Sequence, residues 1–322
     1  MKILGISFGR VMGNTDILVK EALFGAKASY PEAEVEFVNT VNMKIDRCIG
    51  CGMCSRNFDK GLDNDCILKD DLPALEEKIR DADCIILGAP VYVLQPVGQL
   101  KNLIDRFSTR HDVGAIEYQI EKRKKGLVNG PTELDPRRTK QRYIGYISVG
   151  GATTKHWVSM GTAGLHLFGF PNLMKVIGNL NVHHMGTTGN PVLNEDLMAQ
   201  VNELGSRVAK AYDQPMDEIE WFGEEGTCPV CHQDLMTMTG TTTVVCPLCG
   251  IEGKLSIEGE KVLVNFTEEE QGKARGTLWG QDDHVREIQG FGAIAGPKIM
   301  AVKDKLPGML EKYKKFDEFI NQ

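Results

Sequence analysis

Eight of the nine cysteines stand in two groups of four: Cys48, Cys51, Cys54 and Cys66, then Cys228, Cys231, Cys246 and Cys249. Nine cysteines in 322 residues are too sparse for a secreted disulfide scaffold, so clustered thiolates point first to metal ligation. The compact Cys48-x-x-Cys51-x-x-Cys54 spacing wraps three thiolates around one face of a [4Fe–4S] cluster, with Cys66 as fourth ligand after an eleven-residue polar gap. The competing reading is a set of cysteines without a cluster; no proline follows Cys66, so the ferredoxin run is incomplete. Cys228-Pro-Val-Cys231 and Cys246-Pro-Leu-Cys249-Gly250, fourteen residues apart, suit four sulfurs set tetrahedrally around a structural Zn2+. A rubredoxin-like iron site competes, because four sulfurs accept either metal. His232 follows the first of these knuckles, where the second has glycine. Cys84, alone in an apolar run, reads as a small buried hydrophobe.

A second chemistry lies at the ends of apolar runs. Ser7-Phe8-Gly9-Arg10-Val11-Met12-Gly13-Asn14-Thr15 joins a first strand to a first helix. Glycine, hydroxyl and amide groups at a helix N-terminus make an anion site from backbone N–H groups. An ordinary turn capped by Asn14 or Thr15 is the plainer alternative. The G-x-G-x-x-G fingerprint is absent, which removes support for a Rossmann NAD site. Gly88-Ala89-Pro90-Val91-Tyr92-Val93-Leu94 and Ser148-Val149-Gly150-Gly151-Ala152-Thr153 also end strands, and open α/β sheets bind ligands at such ends. His156 and Trp157 follow the glycine pair closely enough to reach a substrate there. His183-His184 follow the next strand, where structural or exposed histidine is the simpler reading. No serine–histidine–acid constellation appears, so hydrolysis is unsupported.

These segments need a scaffold. Apolar runs predict strands at 2–8, 34–39, 83–88, 142–149 and 173–181. Helical spacing predicts helices at 14–27, 70–81, 96–108, 155–168 and 194–212. The alternation gives an α/β fold with a flavodoxin-like, doubly wound, parallel five-stranded sheet. Residues 1–215 form that domain, 216–270 a small zinc-ribbon domain, and 271–322 a helical C-terminal extension. Residues 119–142 carry eight basic side chains against three acids, a local charge of +5. They read as a long basic loop, either solvated or a site for an anion or partner. The tail after Gly276 is glycine-rich, then striped by Ile299, Val302, Leu306, Leu310, Tyr313 and Phe316. Pro307 interrupts or restarts that helix, and the stripe needs cover from the first domain or a second subunit.

Charge narrows the function. Lysine plus arginine number 37 against 44 aspartate plus glutamate, a net charge of −7. The region 217–270 alone carries −10, which repels phosphates and argues against a nucleic-acid partner. No run approaches the ~20 apolar residues of a membrane span. The first ten residues lack a signal-peptide pattern and read as a cytoplasmic start.

GNTDIL in the first loop, the Cys48–Cys66 quartet followed by Asp70-Asp71, and GAPVYV with KNLIDR carry a resemblance over residues 1–212. They resemble the flavodoxin-like NAD(P)H-dependent FMN reductase family, in its iron–sulfur flavoprotein branch. The resemblance implies FMN, with Ser7, Arg10, Asn14 and Thr15 holding its phosphate. It places Pro90, Val91, Tyr92 and Val93 beside the isoalloxazine, and Gly150 and Gly151 over its edge. Tyr92 and His156 are then the candidates for catalysis. The implied activity is an FMN-dependent oxidoreductase fed by NAD(P)H or ferredoxin. A [4Fe–4S] cluster would relay electrons to or from the flavin, and a small organic or quinone-like acceptor would be reduced. Electron transfer without a dedicated substrate and redox sensing are the alternatives. A homo-oligomer, dimer or tetramer, is expected.

Overall fold

The computed structural model describes residues 1–320. The chain opens with β1 (Lys2–Ser7), α1 (Asn14–Ser29), β2 (Glu34–Asn39), α2 (Met53–Asp59) and α3 (Leu72–Asp81). It continues through β3 (Cys84–Tyr92), β4 (Gln95–Pro96), α4 (Gly98–His111), α5 (Val113–Lys124) and β5 (Tyr143–Val149). Then come α6 (Gly161–Gly169), β6 (Lys175–Val182), the short α7 (Met185–Thr188) and α8 (Glu195–Lys210). The main sheet has the order β2-β1-β3-β5-β6, all parallel, with β4 folded back antiparallel on β3. That order is the flavodoxin one, and its switch point lies between β1 and β3.

The central strands read CIILGAPVY and YIGYISV because helices cover both faces, leaving no polar alternation to satisfy. Leu18, Val19 and Ala22 of α1 pack with Val201, Leu204 and Val208 of α8 on one face. Leu72 and Ile79 of α3, Leu103 and Phe107 of α4, and Leu165 and Phe168 of α6 cover the other. Helices α1 and α8 meet backbone to backbone: a Cβ on Gly205 would stand 1.7 Å from the Ala22 carbonyl oxygen.

A small antiparallel sheet follows, ordered β10-β9-β8-β7, from β7 (Thr237–Met238), β8 (Thr243–Val245), β9 (Glu252–Glu258) and β10 (Lys261–Asn265). The second quartet forms its core with Ile251, Phe266 and Ala274. After α9 (Glu268–Gly272), α10 (Leu278–Ala301), α11 (Leu306–Lys314) and α12 (Phe316–Ile320) end the chain. Contacts divide the molecule into Met1–Gln281, which holds both sheets, and Asp282–Gln322. In the second unit Ile288, Phe291, Ile294, Ile299, Leu310 and Tyr313 are exposed. Residues 321–322 of the expected extension lie outside the described residues. Among those described, no helix is long and apolar enough to cross a membrane.

Three segments differ from expectation. The basic run is not a continuous loop: α5 extends to Lys124, and Arg123, Arg138 and Arg142 are buried. Arg123 and Arg138 bracket the Phe58 ring at 5.0 and 5.3 Å, and Arg142 donates to the carbonyls of Ile79, Arg80 and Lys140. Their charge is spent on an aromatic face and on helix C-terminal carbonyls, where cations are favoured. The glycine-rich tail is helical within α10, and Pro307 falls in the first turn of α11, where its missing N–H breaks no helical hydrogen bond. The helix expected at 155–168 is instead a 3-10 turn, Lys155–Trp157, followed by α6.

Candidate functional site

Strand register brings the three candidate segments together. Ser7 pairs with Gly88, Ala89 with Ser148, and Pro90 with Val149, so the segments leave adjacent strands at the same sheet edge. In the first loop Ser7 is buried and its Oγ accepts from the Gly9 N–H at 3.3 Å. Arg10 is exposed at the apex, and its carbonyl accepts from the Gly13 N–H at 2.8 Å. Asn14 opens α1, and Thr15 is buried beneath Gly9. Gly13 caps α1 without a side chain, leaving first-turn N–H groups for an outside acceptor.

One residue that sequence reasoning missed holds this loop. Asp16 accepts from the Met12 N–H at 2.9 Å, from Lys20 Nζ at 2.8 Å and from Asn39 Nδ2 at 2.6 Å. Asn39 Nδ2 also reaches the Gly9 carbonyl at 3.0 Å. Burial alone would raise the Asp16 carboxyl, but the hydrogen bonds from Lys20, Asn39 and Met12 outweigh it and hold it below its ordinary value. The loop therefore keeps an anchored carboxylate at its base and free amides at its mouth. The signal was an acid in the first helical turn, placed there for more than the dipole.

The second segment ends in a hairpin: Val91 pairs with Pro96 and Tyr92 with Gln95. Its two turn residues, Val93 and Leu94, have φ of 50° and 72°. Such a turn normally takes Asn-Gly, and a β-branched residue there carries strain of about 1 kcal/mol or more. Pro90 is buried, Val91 half-buried and Tyr92 exposed, while Val93 is 94% exposed at the tip. In the third segment Gly150 is buried and Gly151 exposed. Residues after β6 clamp it: His184 N–H donates to Ala152 O at 2.7 Å and Gly186 N–H to Gly151 O at 3.0 Å. His156 and Trp157 are exposed beyond it, ring centroids 5.7 Å apart. Backbone amides at the head of α1, the apolar Pro90–Val91 edge and the glycine pair suit a phosphate and a planar ring, which is what FMN presents.

The first quartet rides on the segment between β2 and α3. Cys48 is exposed and Cys51, Cys54 and Cys66 are half-buried. Its feet are pinned: Asp71 accepts from the Lys44 N–H and Asp70 from the Asp46 N–H, each at 2.8 Å. Arg106 of α4 grips Asp70 through both guanidinium nitrogens, and both side chains are buried. Arg106 also donates to the Asp46 carbonyl at 3.0 Å. Asp70-Asp71 and the arginine of KNLIDR thus anchor the cysteine loop, and Arg110 is itself paired with Glu76 and Asp65.

The second quartet is fully gathered. Its four sulfurs lie within 4.8 Å of one another, and all four residues are buried. Cys228 and Cys249 stand 3.8 Å apart and Cys231 and Cys246 3.5 Å, near the ~3.8 Å edge of a tetrahedron with ~2.3 Å metal–sulfur bonds. Zn2+ therefore fits these ligands. Each knuckle needs a left-handed residue after its second cysteine: Gly250 has φ of 78° and His232 of 54°. The His232 ring is stacked on Trp221 with centroids 3.8 Å apart and bonded to Glu225 at 3.2 Å. Among the described residues no other group of three or more such side chains gathers as this one does. A cavity of about 430 Å³ opens beside it, lined by His166, Met174, Trp221 and Cys231.

Residues 1–155 match the family described as NADPH-dependent FMN reductase. Over 318 residues the chain is 28% identical to a flavone synthase of Aspergillus candidus, covering 95% of each protein. It is 39% identical over 123 residues to an iron–sulfur flavoprotein of Methanocaldococcus jannaschii, 35% of this chain and 59% of that one. A solved structure described as a flavone reductase superposes with a TM-score of 0.78 at 28% identity, covering 98% of both chains.

Proposed function

We propose that the chain, a flavin-dependent oxidoreductase, belongs with the flavodoxin-like FMN reductases and iron–sulfur flavoproteins and that it reduces a small, flat, conjugated acceptor of the flavone or quinone kind. One observation carries this reading: the relatives that span nearly the whole chain, both sheets and the tail included, have names that concern flavones. When bound, FMN supplies hydride or single electrons, and NAD(P)H or ferredoxin replenishes them. In the proposal the amides of residues 9–16, with Ser7, Arg10, Asn14 and Thr15, bind the phosphate. Pro90, Val91 and the strained Val93 turn hold one face of the ring, and Gly150 and Gly151 leave its edge approachable. Tyr92 and His156 stand exposed at the rim, placed to orient an acceptor and to hold a proton for it. Cys48, Cys51, Cys54 and Cys66 bind a [4Fe–4S] cluster in this reading, and the Cys228 quartet binds Zn2+. The exposed apolar residues of Asp282–Gln322 pair with a second copy of the chain.

The test is anaerobic turnover of FMN-loaded protein with NADH or NADPH against a flavone, a quinone and a one-electron carrier. Consumption of the nicotinamide in equal amount to a flavone or quinone supports the proposal. Exchange with the carrier alone, with no organic acceptor turned over, favours an electron-transfer iron–sulfur flavoprotein. That second reading draws on the four cysteines at 48–66 and on relatives of that name.

A further inference from the structure

The second quartet sits in the same unit as the candidate cleft, and two contacts join them. Gln233 lies two residues past Cys231, and each polar atom of its buried side chain is committed. Its Nε2 donates to the Cys231 carbonyl at 3.3 Å, and its Oε1 accepts from Thr162 Oγ1 at 3.0 Å. Its own carbonyl accepts from the Cys228 N–H at 3.1 Å. One residue therefore reads both cysteines of the first knuckle and the second residue of α6.

The start of α6 borders the cleft. A Cβ on Gly161 would stand 2.0 Å from Ser148 Oγ and 2.8 Å from Val91 Cγ2, so this turn is pressed directly against the ends of β3 and β5. Any shift of Thr162 is transmitted to Ser148 and Val91, because close-packed neighbours cannot absorb it. A second tie lies farther out: Lys155 Nζ reaches both Glu224 oxygens at 2.6 and 2.7 Å. Lys155 opens the 3-10 turn that carries His156 and Trp157, and Glu224 lies just before Cys228. That pair is exposed and contributes little by itself. The buried Thr162–Gln233 bond is the stronger link, since leaving either partner unpaired incurs its full desolvation cost.

We propose that the four-cysteine module braces the wall of the cleft, with Gln233 as the positioning residue through which the metal-held knuckle fixes α6 against Val91 and Ser148. The metal then has a structural task in the reaction while carrying no electrons. This deepens the function proposed above and rests on the cleft being the FMN site.

The experiment uses the full chain with its metal and FMN, as wild type, Thr162→Val, Thr162→Ser and Gln233→Leu. The readouts are metal content, amide hydrogen exchange at residues 155–164, the FMN dissociation constant, and kcat and KM for the acceptor. Thr162→Val keeps the shape, loses the bond and leaves the knuckle untouched. We expect full metal content with amide exchange at 158–164 about tenfold faster, matching a lost buried hydrogen bond. The FMN dissociation constant and the acceptor KM should rise about fivefold while kcat stays within about twofold, and Thr162→Ser should restore wild-type exchange. Stripping the metal from wild type should speed exchange at the same amides. Wild-type exchange in metal-replete Thr162→Val would overturn the brace. If Gln233→Leu sheds the metal, Thr162→Val alone decides. Failure of every form to bind FMN would overturn the functional reading, and the exchange data would still judge the brace.

Discussion

The two cysteine quartets differ in spacing and still more in setting. The second is dry and closed, with sulfurs at tetrahedral separations and each knuckle turned by a left-handed residue. The first is wet and open, carried on a loop whose order comes from its feet, where Asp70 and Arg106 clasp beneath it. One site is built from its ligands outward, and the other is hung from a helix that belongs to the main sheet. Ligand spacing tells what chelates. Burial and anchoring tell what the protein does when the metal leaves.

The largest effect should separate them outright. Cys231→Ser removes a ligand from a core made of little else, and structural zinc contributes about 10 kcal/mol to folding such modules. We expect loss of zinc and of exchange protection across β7–β10, with the parallel sheet intact. Cys51→Ser should instead abolish iron absorbance while zinc content stays unchanged. Equal loss of both metals in either variant would erase the distinction.

Asp70→Asn comes next. It leaves a buried guanidinium unpaired, a change that costs about 3–5 kcal/mol where both partners are buried. Thermal unfolding should register this, with proteolysis appearing first near residues 55–65. The same pair sets a pH limit. Burial alone would raise the Asp70 carboxyl, but Arg106 and the Asp46 N–H outweigh it and hold it below 3.8. Its stabilisation is thus complete above about pH 4 and lost as pH falls through the lower, folded value. Asp70→Asn should flatten the acid limb of stability between these values, and an unchanged limb would assign acid loss elsewhere.

The smallest effect tests the knuckles. His232→Gly relieves the left-handed backbone by about 1 kcal/mol and gives up a Trp221 stack of similar size. Stability should move by less than about 1 kcal/mol while tryptophan fluorescence changes clearly. A large loss would mean that the histidine does more for the site than occupy a turn.

The sequence carried much of this because parallel strands buried on both faces must be apolar runs, and strand-to-helix turns must fall at one edge. The five parallel strands and the placing of the Ser7, Pro90 and Gly150 segments at strand ends were legible in that way, while the order β2-β1-β3-β5-β6 is a finding of the structure. The second quartet was legible because its four ligands are local in sequence. The basic run was not. Nothing local tells Arg123 and Arg138 that Phe58 waits between them, and burial of a guanidinium is decided by distant carbonyls. Asp16 escaped for a related reason: Lys20 is a local partner one turn along α1, but Asn39, which ties the carboxylate to the loop, comes from β2. The glycines of α10 misled in the opposite sense: a low helix propensity yielded to twenty-four residues of helical context.

The intimacy of α1 with α8 has a consequence for biogenesis. The phosphate-side loop stands at the head of α1, yet the face of that helix is completed by residues near 205, almost the full length of the domain later. Contacts of such sequence separation close late, because the intervening chain must be ordered first. On the ribosome, a nascent chain shorter than about 210 residues would present Leu18, Val19 and Ala22 to solvent or to a chaperone. Cofactor capture should therefore coincide with emergence of α8, and arrested chains ending before and after residue 210 should differ in their ability to retain flavin.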